Sequence, residues 1–182
     1  MRPGFRTIAV LRCPEVTLPG LRPMQIPLSL PVGPCWELQE GAVDSTTFLQ
    51  ALPSAFPEAT TAFIEGSSIA TDIVRIFEEH ADAGPYLPEP QTLWSTGTIL
   101  RFRCRFTPAF CEALASASQH HAEPELFDHV FLYADRRALL EWPDAFSNCM
   151  WIAASVSEAH VSAFATTLGL SYKYANGSPG TR

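Results

Sequence analysis

The chain has 182 residues, 47% of them apolar and 17% charged, with a formal net charge of -7. That length holds one domain with a substantial core and is short for two, and the composition is globular rather than disordered. The acidic total excludes a general nucleic-acid binder, which needs a surplus of Lys and Arg against phosphate. No apolar run approaches the roughly 20 residues that span a bilayer, so no membrane partner is expected.

The five cysteines (13, 35, 104, 111 and 149) are odd in number and form no C-x-x-C pair. This is the usage of a reducing compartment, where Cys serves as a small apolar residue. The apolar run Thr7 to Leu11 is too short for an export signal, and Arg12 before Cys13 spoils a lipoprotein-like cleavage site. The expectation is a soluble cytoplasmic protein, in which Cys13 and Cys35 would pair only on export.

Residues 1–35 read as a Pro-rich extended arm. A short strand is expected over Phe5 to Leu11, after which Pro14, Pro19, Pro23, Pro27, Pro31 and Pro34 recur every three to five residues. Proline at that density removes ladder donors and forbids helix interiors. Leu18, Leu21, Ile26, Leu28 and Leu30 lie between the prolines and suit an arm draped over apolar surface. The alternative is a ligand for another protein, since Pro31-Val-Gly-Pro34 fits P-x-x-P.

Residues 36–174 read as one α+β domain, with 175–182 as a flexible tail. Trp36 to Val43 is ambiguous. Asp44 or Ser45 caps a helix carrying Phe48, Leu49 and Leu52 on one face, which Pro53 should stop. A buried strand is expected over Thr60 to Glu65. Gly66-Ser-Ser then turns into a helix with Ile69, Ile73, Ile76, Phe77 and His80 on one side, ended by Gly84-Pro85.

After the loop from Pro85 to Gln91, Leu100, Phe102, Cys104 and Phe106 alternate with Arg101, Arg103 and Arg105. Period two with that contrast marks a half-buried strand, and Gly97 suggests a break before it. Thr107-Pro108 is a helix start, Thr as N-cap and Pro in the first turn. Phe110, Leu114, Ala117 and His121 follow at helical spacing until Pro124 ends the run. Leu126 to Ala134 reads as a strand, Asp135-Arg136 as a hairpin turn into Ala138 to Trp142, and Asn148 to Ala154 as the third strand of a meander. Ser155-Val-Ser-Glu158 reads as a capping box for a helix ended by Gly169. Leu170 to Tyr174 is a last edge strand. This order predicts a mixed, mostly antiparallel sheet with about four helices packed against it.

The densest group of chemically capable residues is His120, His121, Glu123, Glu125, Asp128 and His129. Imidazole and carboxylate together suit a divalent metal that activates water, or general acid–base catalysis. Helical and strand periods divide the group: His120 turns roughly 100° away from His121, and Asp128 and His129 leave opposite faces of a strand. What can converge is a subset, His121, Glu123 and His129 for a metal, or His121, Glu125 and His129 for acid–base work. No recognised metal motif supports it, so no cofactor is expected as the first reading. A contact of His121 with His129 across the helix–sheet interface is the narrower expectation.

Arg101, Arg103 and Arg105 are spaced to grip a carboxylate, a phosphate or an acidic strand. The plainer reading pairs them with acids on neighbouring strands, Glu141 for example. Gly66-Ser67-Ser68 offers N–H groups to an anion, Ser67 or Ser68 with His129 and Asp128 makes a triad on paper, and Cys111 lies in a first helical turn. Trp142, between Glu141 and Pro143, suits a surface aromatic contact. The first reading of function is a binding or interaction protein with a protein partner. Its contacts are an aromatic and acidic surface that includes Trp142, or the arginine-bearing strand face. The alternative is a metal-dependent or acid–base enzyme centred on residues 120–129.

Overall fold

The computed structural model describes residues 33–39, 41–84, 99–146 and 149–176. Residues 1–32 of the Pro-rich arm, with the strand expected over Phe5 to Leu11, lie outside the described residues. So do the loop from Pro85, the Gly97 break and the end of the tail.

Among the described residues seven strands form one open sheet: β1 (Cys35–Leu38), β2 (Thr61–Gly66), β3 (Leu100–Arg105), β4 (His129–Ala134), β5 (Arg137–Trp142), β6 (Met150–Ala153) and β7 (Tyr172–Ala175). Their order is β3-β2-β4-β5-β6-β1-β7, and all six pairings are antiparallel. The class is α+β. The expected meander is present as the neighbours β4, β5 and β6. The ambiguous segment after the arm supplies β1, which inserts between β6 and β7.

Among the described residues four α-helices accompany the sheet: α1 (Ser45–Ala55), α2 (Thr71–Glu79), α3 (Pro108–Ser118) and α4 (Glu158–Leu168). Thr107 caps α3, its hydroxyl accepting from the Phe110 N–H at 3.2 Å. Asp44 caps α1 through the Thr47 N–H at 2.7 Å. α1 runs past Pro53 to Ala55 rather than stopping before it. The proline sits in the last turn, where the missing donor costs one bond to the Leu49 carbonyl and little continues beyond it. α4 is capped by Ser157 and not by Ser155, with the Ser157 hydroxyl accepting from the His160 N–H at 3.4 Å. Gly169 ends it at φ 69°, in the left-handed region that glycine enters without a Cβ penalty.

Strand alternation explains which layer the helices cover. Ala62, Ile64, Cys104, Val130, Leu132, Leu140, Trp142, Met150 and Ile152 join Phe48, Phe77, Phe110, Leu114 and Phe164 from the helices in one core. The bulge between Leu132 and Tyr133 turns Leu139 into the same core. Trp142 is its largest member, 1% exposed, with its ring 4.6 Å from Phe48 and 4.8 Å from Phe146. The opposite face carries a second, smaller cluster of Phe63, Phe131 and Tyr133 with Ala138, to which no helix among the described residues contributes.

Candidate functional site

The His and carboxylate stretch after α3 is split between the two sides of the sheet. His121 follows α3 and stays on the helix side. Its Nε2 is 2.8 Å from Asp72 Oδ2 at the start of α2, and its Nδ1 is 3.2 Å from Glu125 Oε2. The Asp72 hydrogen bond, then Glu125, holds the His121 ring above the usual imidazole range; His121 in return holds Asp72 below the usual carboxylate range, and the Ala122 backbone N–H, then His121, holds Glu125 below it. With each ring nitrogen facing a carboxylate, this imidazole is a clamp between α2 and the turn after α3. Glu123 and His120 are exposed.

His129 opens β4 with the parity of Phe131 and Tyr133, opposite Glu65 on β2. It therefore faces away from the helices and does not meet His121. The expectation of a contact between the two fails because β4 begins only at His129, and the preceding residues Leu126 and Phe127 pack into the helix-side core instead. His129 Nδ1 accepts the Asp144 backbone N–H at 2.8 Å, so a neutral ring carries its proton on Nε2 and acts there as a donor. His121, Glu123 and His129 thus form no common ligand set, and His121, Glu125 and His129 no common acid–base set. Among the described residues, no three His, Cys, Asp or Glu side chains are grouped to hold a metal ion.

The anion loop is also occupied from within. Both the Ser67 N–H and its hydroxyl donate to Asp128 Oδ2, at 2.7 and 2.8 Å, and α2 starts only at Thr71, capped without a side chain. The paper triad disperses, because Asp128 binds Ser67 while His129 faces the other way. Cys111 is 2% exposed, and burial pushes its thiol up to about 12, the opposite of an activated nucleophile. Cys35 is a buried free thiol; Cys13 lies outside the described residues.

The arginines lie together on the helix-free face of β3, and two are matched by acids other than Glu141. Arg101 Nε donates to Glu65 Oε1 at 2.6 Å, and Arg103 to Asp82 Oδ2 at 3.1 Å. Arg105 makes no ion pair among the described residues. The outer edge of β3 is taken as well. Ala81 bridges Cys104, the Asp82 N–H donates to the Arg103 carbonyl at 2.8 Å, and the Arg105 N–H donates to the His80 carbonyl at 2.8 Å. Trp142 is a core residue and cannot serve as a surface contact. Strand alternation sends it to the helix side, with Leu140, while its neighbour Glu141 turns to the other.

At the far end of the sheet the situation reverses. Among the described residues β7 pairs with β1 alone, so its outer backbone groups face outward from the sheet. Trp36 on β1 stands directly opposite Tyr174 on β7. The Trp36 ring lies 4.7 Å from Tyr174 and 5.9 Å from Tyr172, edge-on to both. Its indole N–H is fixed by the Val156 carbonyl at 3.2 Å, which leaves the aromatic faces to pack. Tyr174 is 49% exposed, and the Tyr172 hydroxyl reaches Glu158 Oε1 at 3.4 Å. The result is an aromatic shelf with an acid beside it at an open strand edge. Sequence periodicity identifies Leu170 to Tyr174 as an edge strand but misses Trp36 as its partner. The tyrosines at alternate positions 172 and 174 were the available signal.

The chain matches no protein-family model, no curated protein and no solved structure.

Proposed function

We propose that the protein is a binding module that takes an extended segment of a protein partner onto the β7 edge. The observation that carries this reading is the contrast between the two edges of one sheet. The β3 edge is covered by residues 80–82, whereas β7 has a neighbour only on its inner side among the described residues and bears a half-exposed Tyr174. Exposed edges invite pairing, and proteins that do not use them cover, charge or bulge them. An added strand gains main-chain hydrogen bonds from β7 and specificity from side chains at alternate positions.

The shelf defines the partner's chemistry. Apolar residues at every second position would lie over Tyr174 and Trp36, and a basic residue among them would reach Glu158. Aromatic residues with a polar handle are favoured as interface anchors. This aromatic and acidic surface is a better interface than the arginine face, whose Arg101 and Arg103 already hold acids. No helix among the described residues is long and apolar enough to cross a membrane. A cytoplasmic setting suits the buried free thiols Cys35, Cys104 and Cys111.

Selection from a random library of displayed eight-residue peptides tests the reading. Peptides with alternating apolar residues and a basic residue are expected, and Tyr174→Glu should remove their binding. Peptides that bind the Tyr174→Glu protein as well as the parent would reject it.

A further inference from the structure

The outer edge of β7 has a definite hydrogen-bonding frame. The Gln39 N–H donates to the Ser171 carbonyl at 3.0 Å, one step beyond the pairing of Leu38 with Tyr172. Ser171 therefore directs its main-chain groups at β1. Along an antiparallel strand, successive residues bond to opposite sides. Lys173 and Ala175 consequently bond β1, whereas the N–H and C=O of Tyr172 and Tyr174 point out of the sheet. None of these four groups has a backbone partner among the described residues. Trp36 and Tyr174 then form a non-hydrogen-bonded pair, the kind in which side chains come closest, in keeping with the 4.7 Å between their rings.

Side-chain parity divides the surroundings of that frame by charge. Tyr172 and Trp36 pack against the helix-side core, and the Tyr172 hydroxyl donates to Glu158 Oε1 at 3.4 Å at the start of α4. Lys173 leaves the other face, where its Nζ lies 3.1 Å from Glu37 Oε1 and its side chain is 55% exposed. We propose, on the reading that β7 is the binding edge, that the segment it takes runs antiparallel to it. That segment presents, from its N- to its C-terminus, an apolar, an acidic and a basic residue.

The order follows from register. The first residue of the triplet lies opposite Tyr174 and the third opposite Tyr172. Each exchanges two N–H···O bonds with its tyrosine, so three residues satisfy all four outward groups. Their side chains share the helix-side face with the tyrosines. An apolar first residue covers the Tyr174 ring, which is 49% exposed, and a basic third residue reaches Glu158 beside Tyr172. The middle residue stands opposite Lys173 on the other face, in a pair whose side chains are close. Lys173 is one strand away from it, roughly 4.8 Å, and Glu37 is two, roughly 9.6 Å. The nearer charge decides, so a carboxylate is favoured there, and the Lys173 ammonium has three hydrogens to donate. An antiparallel strand continues a sheet whose six pairings are all antiparallel. A parallel strand would meet Lys173 and Glu158 in the reverse order, so direction and charge order stand together.

The test joins amide hydrogen exchange to peptide binding on the full chain. In the free protein the Tyr172 and Tyr174 amides should exchange fast while those of Lys173 and Ala175 are protected. Protection of both tyrosine amides before any peptide is added shows an edge already covered, by the chain itself or by a second copy. That result overturns the proposal together with the binding-edge reading beneath it. Eight-residue peptides with Val-Glu-Arg, Arg-Glu-Val or Val-Arg-Glu at their centre are then compared by fluorescence anisotropy. The Val-Glu-Arg peptide should bind about 5-fold more tightly than either rearrangement and should protect the Tyr172 and Tyr174 amides. With a nitroxide at its N-terminus it should broaden Ala175 and Cys35 more than Ser171 and Gln39. Glu158→Lys should transfer the preference to a peptide with Val-Glu-Glu. Equal affinities, or stronger broadening of Ser171 and Gln39, with the two tyrosine amides still protected on binding, overturn the direction and charge order while the edge remains the binding site.

Discussion

Arg101 Nε donates to Glu65 Oε1 at 2.6 Å across the β2–β3 pair, joining a guanidinium with 42% side-chain exposure to a carboxylate with 1%. Removing the guanidinium leaves a carboxylate in a site too dry to solvate it. Arg101→Ala should therefore destabilise the protein by about 1–3 kcal/mol, less than a fully buried pair would cost because Arg101 itself is half in water. Arg105→Ala, two pleat repeats along the same face, should stay within about 0.5 kcal/mol. Urea denaturation of the two variants makes the comparison. Equal losses would show that the arginine face acts as a uniform charged surface rather than through one buried partner.

The clamp of His121 between Asp72 and Glu125 makes stability depend on pH. The folded His121 binds its proton more tightly than the unfolded chain does. Its contribution is therefore complete below the unfolded value of about 6.5 and is lost as pH rises through the higher folded value. Asp72 and Glu125 act with the opposite sign. Their contributions hold above the ordinary carboxylate range of about 4 and are lost as pH falls through their lowered values. The clamp is thus strongest between about pH 4.5 and 6.5. NMR titration should find the His121 ring above 6.5, and Asp72→Asn should move it back down. A His121 that titrates at or below 6.5, or that ignores Asp72→Asn, contradicts the clamp.

Trp142 separates a core role from an interface role. Trp142→Ala should cost about 3–5 kcal/mol, because the ring fills space among Phe48, Phe127 and Phe146 that these neighbours cannot close. A small change in the denaturation midpoint would place the ring at the surface after all.

Local rules made most of the fold legible. The alternation from Leu100 to Phe106, the Thr107-Pro108 start and the Asp135-Arg136 hairpin depend on neighbours within a few residues, and each element appears near its expected position. The extents of β4 and α4 were less so. Leu126 and Phe127 have strand-like apolarity but follow a 3-10 turn over Glu123–Glu125 and precede β4, and Ser157 rather than Ser155 caps α4. Trp142 is buried, against the surface expectation, because the flanking Glu141 and Pro143 only resemble a surface segment. Only the parity of β5, set by its pairing with β4, sends the indole inward. β1 was not legible, since four residues give too little pattern and their place in the sheet depends on β6 and β7, more than a hundred positions later. For the same reason the pairing of Trp36 with Tyr174 is invisible to any local reading, although the alternating tyrosines 172 and 174 are not.

The most direct measurement is an amide-shift titration of the full chain with a library-selected peptide. The largest changes should fall on Tyr172 to Ala175 and on Trp36. Tyr174→Ala should weaken binding by about 30-fold, the loss of roughly 2 kcal/mol expected of an aromatic anchor, while stability changes by no more than about 0.5 kcal/mol. Shifts centred on β3 or on the helices, with binding intact in Tyr174→Ala, would contradict binding at the β7 edge.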